Sequence, residues 1–142
     1  MAGPLRAVLD TNVLLAAQKT RHSSSPNAEI FNRWKAGELA VLCSRDIAIE
    51  YADKMLEHGI PEVYISTFLS LLRVLAEWVE IEFFHLRHYP IDSDDVSFLL
   101  CALNGEATHL VTYDEHLTAL QPHYKLHICE PVKFLQDCRG VQ

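Results

Sequence analysis

Four acidic residues carry the strongest chemical signal in this chain. Asp10 closes a short apolar run, Ala7-Val8-Leu9, and leads into Thr11-Asn12-Val13-Leu14-Leu15. A carboxylate that ends a buried strand and steps into a helix stands where open α/β sheets place their chemistry. Glu50, Asp95 and Asp114 recur at similar junctions. Converging carboxylates with no basic partner in sequence suit a hard divalent cation, which prefers oxygen ligands. Each position also has an architectural explanation. Asp92 or Ser93 with Asp95 can cap a helix, Asp114 can cap a helix over 115–120, and Glu50 can be an exposed helix residue. Asp10 resists such an account, because a charge beside a buried strand is costly unless paired or coordinated.

The elements that must position these residues alternate along the chain. β-like runs at 7–10, 39–43, 79–84, 109–112 and 126–129 are separated by helical patterns, which predicts an α/β fold with a parallel sheet. A helix over 27–35 places Ile30, Phe31 and Trp34 on one face, with Gly37 ending it. Ser44 is placed to cap a helix running to about Leu56, and Pro61 sits at the first turn of another. In that second helix Ile65, Phe68, Leu69, Leu72 and Leu75 repeat at helical spacing, which predicts a core-facing surface. Asp92-Ser93-Asp94-Asp95 opens an almost wholly apolar helix over 96–103, which must be covered on most sides. Glu130-Pro131 opens a last short helix through Phe134 and Leu135, and residues 21–26 read as a loop. In this reading all four acidic positions fall on one edge of the sheet.

Composition bounds the class. At 142 residues the chain is the size of one domain, 1–142, and needs no disulfide or metal staple. It is 49% hydrophobic and 22% charged, too apolar for disorder. The N-terminal residues lack the apolar core of a signal peptide and no run approaches a membrane span, so the expected location is cytoplasmic, with no membrane partner. Cys43, Cys101, Cys129 and Cys138 match no zinc pattern and read as small hydrophobes. The eight histidines show no ligand spacing. A formal charge of −7 argues against a basic groove that binds nucleic acid by electrostatics alone. Cations bound among the carboxylates reverse that argument locally.

Five segments carry a family resemblance. Leu9-Asp10-Thr11-Asn12-Val13-Leu14 resembles the opening motif of PIN domains, the metal-dependent ribonuclease family that includes the VapC-like toxins. Ser44-Arg45-Asp46-Ile47-Ala48-Ile49-Glu50-Tyr51 resembles the second motif, and Asp92-Ser93-Asp94-Asp95-Val96-Ser97-Phe98-Leu99 the third. Leu110-Val111-Thr112-Tyr113-Asp114-Glu115-His116-Leu117 resembles the fourth, and Glu130-Pro131-Val132-Lys133-Phe134-Leu135 the closing helix. The resemblance implies a three-layer α/β/α fold around a mostly parallel sheet of four or five strands. It implies Asp10, Glu50, Asp95 and Asp114 as the acidic metal-binding and catalytic set, with Asn12 and Thr112 as supporting polar groups and Asp92 as an outer carboxylate. The family commonly has glycine where this chain has Tyr113, and often a second aspartate where it has His116.

The chemistry expected of such a site is hydrolysis of RNA phosphodiesters with Mg²⁺ or Mn²⁺, Glu50 ligating or orienting the attacking water. Lys19, Arg21 and Arg45 follow the first two strands and are the candidates for phosphate contact, although solvated surface charge explains them as well. The resemblance also suggests a homodimer and, in the toxin branch, an antitoxin partner. Apolar faces over 31–34 and 65–78 offer surplus surface for such contacts. Two other classes share an aspartate after the first strand. A haloacid-dehalogenase phosphatase expects a second aspartate where Asn12 stands, and a receiver domain expects an acidic pair that is missing here. A catalytically degenerate scaffold or interaction module remains the alternative to an active nuclease.

Overall fold

The computed structural model describes residues 4–19 and 25–140, with backbone alone at 18 and 19. Five parallel strands form one sheet in the order β3-β2-β1-β4-β5. They are β1 (Arg6–Leu9), β2 (Ala40–Cys43), β3 (Glu77–Trp78), β4 (His109–Val111) and β5 (His127–Cys129). Helices α1 (Thr11–Lys19) and α2 (Pro26–Lys35) connect β1 to β2, and α3 (Arg45–Glu57) and α4 (Glu62–Leu75) connect β2 to β3. Helix α5 (Val96–Asn104) leads into β4, the short α6 (Glu115–Thr118) follows it, and α7 (Pro131–Gly140) closes the chain. The expected α/β architecture, a parallel sheet flanked by helices, is the one observed.

Local chemistry explains most boundaries. Ser44 caps α3, its hydroxyl accepting from the Ile47 amide at 3.4 Å. Pro61 precedes α4, and Gly37, at φ +78°, makes the left-handed turn after α2. Asp92 caps a single 3₁₀ turn over Ser93–Asp95, which runs directly into α5. The strands are buried on both faces, as parallel sheets require: Ala7, Val8, Leu9, Val41, Leu42, Leu110 and Val111 are all inaccessible to solvent. Helix α5 lies against β1, β2 and β4, so its apolar run Phe98–Ala102 is buried, as expected. Ile30, Trp34, Ile65, Phe68 and Leu72 are core residues, whereas Leu75, at the end of α4, is exposed. Cys43, Cys101 and Cys138 are buried, and burial pushes the thiols of Cys43, Cys101 and Cys129 up to about 12.

The third strand differs from its expected position. Residues 79–84 are not a strand; Glu77 and Trp78 pair with Leu42 and Cys43, and the bonding to β2 ends with the Val79 amide donating to the Cys43 carbonyl at 2.9 Å. Beyond that point the chain is held by a side chain instead of a neighbouring strand. Asn104 Oδ1 accepts from the amides of Glu82 and Phe83, and its Nδ2 donates to the Phe83 carbonyl at 3.0 Å. An asparagine can satisfy backbone groups that a ladder would otherwise take, and sequence periodicity cannot register the substitution.

The chain builds outward from β1 to β2 and β3, then returns to the other side of β1 to place β4. Strand order therefore reverses between β1 and β4, where adjacent connections diverge and leave a crevice beyond the carboxyl ends of the strands.

Candidate active site

Asp10 and Thr112 stand one residue beyond β1 and β4, which pair Leu9 opposite Val111. The Asp10 amide donates to the Val111 carbonyl at 2.9 Å, so the ladder continues into the site itself. The Thr112 hydroxyl donates to Asp10 Oδ2 at 2.6 Å and accepts from the Asp114 amide at 2.9 Å. One threonine thus links the two aspartates that leave neighbouring strands. Asp10 is only 6% exposed, and burial raises its carboxyl above the ordinary range, with the Asp114 and Asp92 charges acting the same way and the Thr112 hydrogen bond opposing them.

A cleft of about 220 Å³ opens over this junction. All four acidic positions singled out in the sequence line it, together with Asn12 and Asp92. Asp94, Thr11, Lys54, His58 and Phe98 complete its walls. Two of the capping explanations also hold: Asp114 Oδ1 accepts from the His116 amide at 2.8 Å, and Asp92 Oδ1 accepts from the Asp94 amide at 2.9 Å. Each of these carboxylates spends one oxygen on a helix start and keeps the other. Asp95 caps nothing; its Oδ2 is buried with no hydrogen-bond partner among the described residues. Burial and then the adjacent Asp114 carboxyl push Asp95 up to about 8.

Glu50 reaches the cleft from α3, and burial raises its carboxyl against the pull of Lys54. The helix is tied to the sheet one residue later. Tyr51 is wholly buried, and its hydroxyl donates to the Leu9 carbonyl at 2.5 Å, immediately before Asp10. Its ring packs edge-on to Phe68 and against Phe98, so three helices converge on the same tyrosine.

Lys54 and His58 are cleft residues that the sequence reading missed. Their spacing held a signal, since Glu50, Lys54 and His58 recur every four residues along α3 and its C-cap and so share a face. Lys54 is the one lysine or arginine lining the cleft among the described residues, and it pairs with Glu57 at 3.3 Å. Arg45 is exposed at the start of α3 and is not part of the cleft wall. Lys19 ends α1, about 12 Å along the helix axis from Thr11, and Arg21 lies outside the described residues. His116 is exposed and does not line the cleft, and Tyr113 instead bonds to Asn27 at the start of α2.

The donor set is chemically suited to a hard cation: carboxylate oxygens, with a buried acceptor on Asp95 that no donor meets. Such an oxygen is costly unless a proton or a cation satisfies it. Among the described residues no three His, Cys, Asp or Glu side chains are gathered tightly enough to hold a metal ion. Mutual repulsion among Asp10, Asp95 and Asp114 works against closer approach while their charge is uncompensated.

The comparisons with known proteins agree with this geometry. The chain superposes on VapBC2 from Rickettsia felis, solved bound to a DNA fragment from their promoter, with a TM-score of 0.59 over 87% of this chain and 97% of that one, at 13% identity. At that identity the likeness concerns the fold. No curated protein matches the chain in sequence. The family model described as PIN domain matches residues 6–116, from the first residue of β1 into α6 just after Asp114, and the chain belongs to the PIN-domain family.

Proposed function

We propose that this protein is a Mg²⁺- or Mn²⁺-dependent endoribonuclease that hydrolyses RNA phosphodiester bonds in the Asp10–Asp114 cleft. The observation that carries the reading is the buried, partnerless oxygen of Asp95 beside Asp114 and Asp10, at the point where strand order reverses. A buried carboxyl oxygen that no donor meets, on a group whose ionisation the fold disfavours, suits a position completed by a cation. Asp10, Asp95 and Asp114 would hold the ion, which when bound lowers the pKa of its water and neutralises charge on the scissile phosphate.

The remaining work belongs to the chain. Thr112 fixes the Asp10 carboxylate and orders the Asp114 backbone through the same hydroxyl. Glu50 orients the attacking water and takes its proton, a role its raised carboxyl suits. Tyr51, bonded to Leu9, holds α3 so that Glu50 keeps its place. Lys54 supplies positive charge at the rim, where the non-bridging oxygens of a phosphate pass. Lys19, Arg21 and Arg45 are the further candidates for phosphate contact, and Asn12 and Asp92 support the cleft as polar groups in its wall.

The likeness to VapBC2 supports a place among toxins that pair with an antitoxin. A second surface supports a partner or a second copy. An apolar groove of about 550 Å³ runs between α2 and α4, walled by Phe31, Phe68 and Leu71, with Tyr64 and Val74 exposed beside it.

Cleavage of a mixed-sequence single-stranded RNA tests the reading. Cutting is expected with Mn²⁺ or Mg²⁺, and is lost with a chelator and in Asp10→Asn. Equal inertness of wild type and variant on that RNA would overturn it and leave a degenerate scaffold.

A further inference from the structure

Tyr113 stands between the two residues that join the strands to the site, Thr112 and Asp114, and the mechanism above gives it no task. The residue is 41% exposed although it lies one position beyond the fully buried Thr112. Its hydroxyl, by contrast, is held firmly. Asn27 Nδ2 donates to it at 2.8 Å, and it donates to Asn27 Oδ1 at 3.0 Å. Asn27 is itself buried at the start of α2. The phenol is therefore pinned at its far end while the residue as a whole stays partly open to solvent. No other ring stacks on it among the described residues.

The cleft beside it needs such a surface. Its wall holds six carboxylates, and Lys54, which also lines it, is itself paired to Glu57, so attraction of a polyanion by charge is weak. Single-stranded nucleic acid is gripped in a second way, by bases laid on aromatic faces, and that grip is indifferent to the charge of the chain. A ring that is immobilised before binding loses little conformational freedom on contact.

We propose that Tyr113 is a nucleobase platform, its Asn27-anchored ring stacking on a base of single-stranded RNA whose backbone crosses the acidic cleft. The inference rests on the ribonuclease reading and adds how substrate is held. Stacking makes no use of the phosphodiester under attack, so Tyr113 affects binding more than turnover.

The test uses single-stranded RNA carrying one 2-aminopurine, with cleavage kinetics for wild type, Tyr113→Ala and Tyr113→Phe, and thermal melts to establish that each is folded. Tyr113→Ala is expected to raise KM about tenfold with kcat nearly unchanged. It should also abolish the quenching of 2-aminopurine that wild type produces on binding. Tyr113→Phe keeps the ring and loses the anchor, and should recover most of the affinity and the quenching. An unchanged KM in Tyr113→Ala, or equal loss in both variants, overturns the inference while leaving the nuclease intact. Wild type that neither binds nor cuts RNA overturns the reading beneath it as well.

Discussion

The two ends of the same sheet treat charge in opposite ways. At the amino end, Arg6 and His109 both have partners. Arg6 reaches Glu77 at 2.6 Å and the Gly105 carbonyl at 2.5 Å. His109, 2% exposed, places Nε2 at 2.8 Å from Asp137 and Nδ1 at 2.8 Å from Thr108, while Lys133 meets the other Asp137 oxygen at 3.0 Å. At the carboxyl end, Asp10, Asp95 and Asp114 crowd one another, and an oxygen of Asp95 has no partner. Both ends are built on β4, from His109 at one terminus to Thr112 just past the other. The amino end resembles a structural network, stabilising because it is satisfied, whereas the carboxyl end is left incomplete for a ligand.

That contrast makes opposite predictions for opposite ends. The largest effect is expected at the carboxyl end, where Asp95→Asn should cut RNA cleavage by about 10²–10⁴-fold. The same substitution puts a neutral amide where the metal-free fold must hold a protonated carboxyl, so that protein should melt at a temperature equal to or above wild type at neutral pH. A large loss of stability would show that Asp95 is structural after all. At the amino end His109→Ala should reverse the pattern. It leaves Asp137 short of a partner and empties a core position against Phe134, a cost of about 2–3 kcal/mol by denaturant unfolding. Cleavage per folded molecule should stay within a few-fold of wild type.

The pH dependence of stability separates the ends again. Asp95 is raised from 3.8 to about 8, so the folded state holds a proton that the unfolded chain has released. Its contribution is complete below about 4 and is lost as pH rises towards 8. His109 shifts the other way. Burial lowers it from 6.5 despite Asp137, so its contribution is complete above 6.5 and is lost as pH falls through the folded value. Asp137, lowered by His109 and Lys133 against burial, adds to the loss on the acid side. Thermal melts in chelator should therefore decline at both extremes, and Mg²⁺ should restore only the alkaline limb. Restoration of both limbs would break the division.

The smallest effect is expected from Tyr51→Phe, which removes one buried hydrogen bond to Leu9 and should cost about 1 kcal/mol. A several-fold fall in kcat alongside it would establish that α3 positions Glu50. An unchanged kcat would confine Tyr51 to packing.

Part of this molecule was legible along the chain. Asp10 could be placed at a strand end because Ala7-Val8-Leu9 is short, apolar and followed by a helix pattern. Ser44 and Pro61 announced their helices because capping is chemistry within a few residues. The third strand was misplaced because Asn104, more than twenty residues on, supplies the bonds that residues 82 and 83 would take from a strand. Lys54 and His58 were overlooked although they follow Glu50 at helical spacing, because charged residues on a helix face are ordinarily solvated.

The sequence by itself determined the alternation of strands and helices, the residue types at the strand ends, and membership of the family. Those are properties of short windows, where periodicity, caps and motif spacing act. Tertiary structure alone decided which of these groups meet. Thr112 bonds to Asp10 across 102 positions, Tyr113 to Asn27 across 86 and Tyr51 to Leu9 across 42. The burial that lifts Asp95 likewise belongs to no segment, because it arises only when α5 and β4 close over the crevice beside β1. Local pattern selects the elements; the packing of buried surface sets the distances at which their charges act.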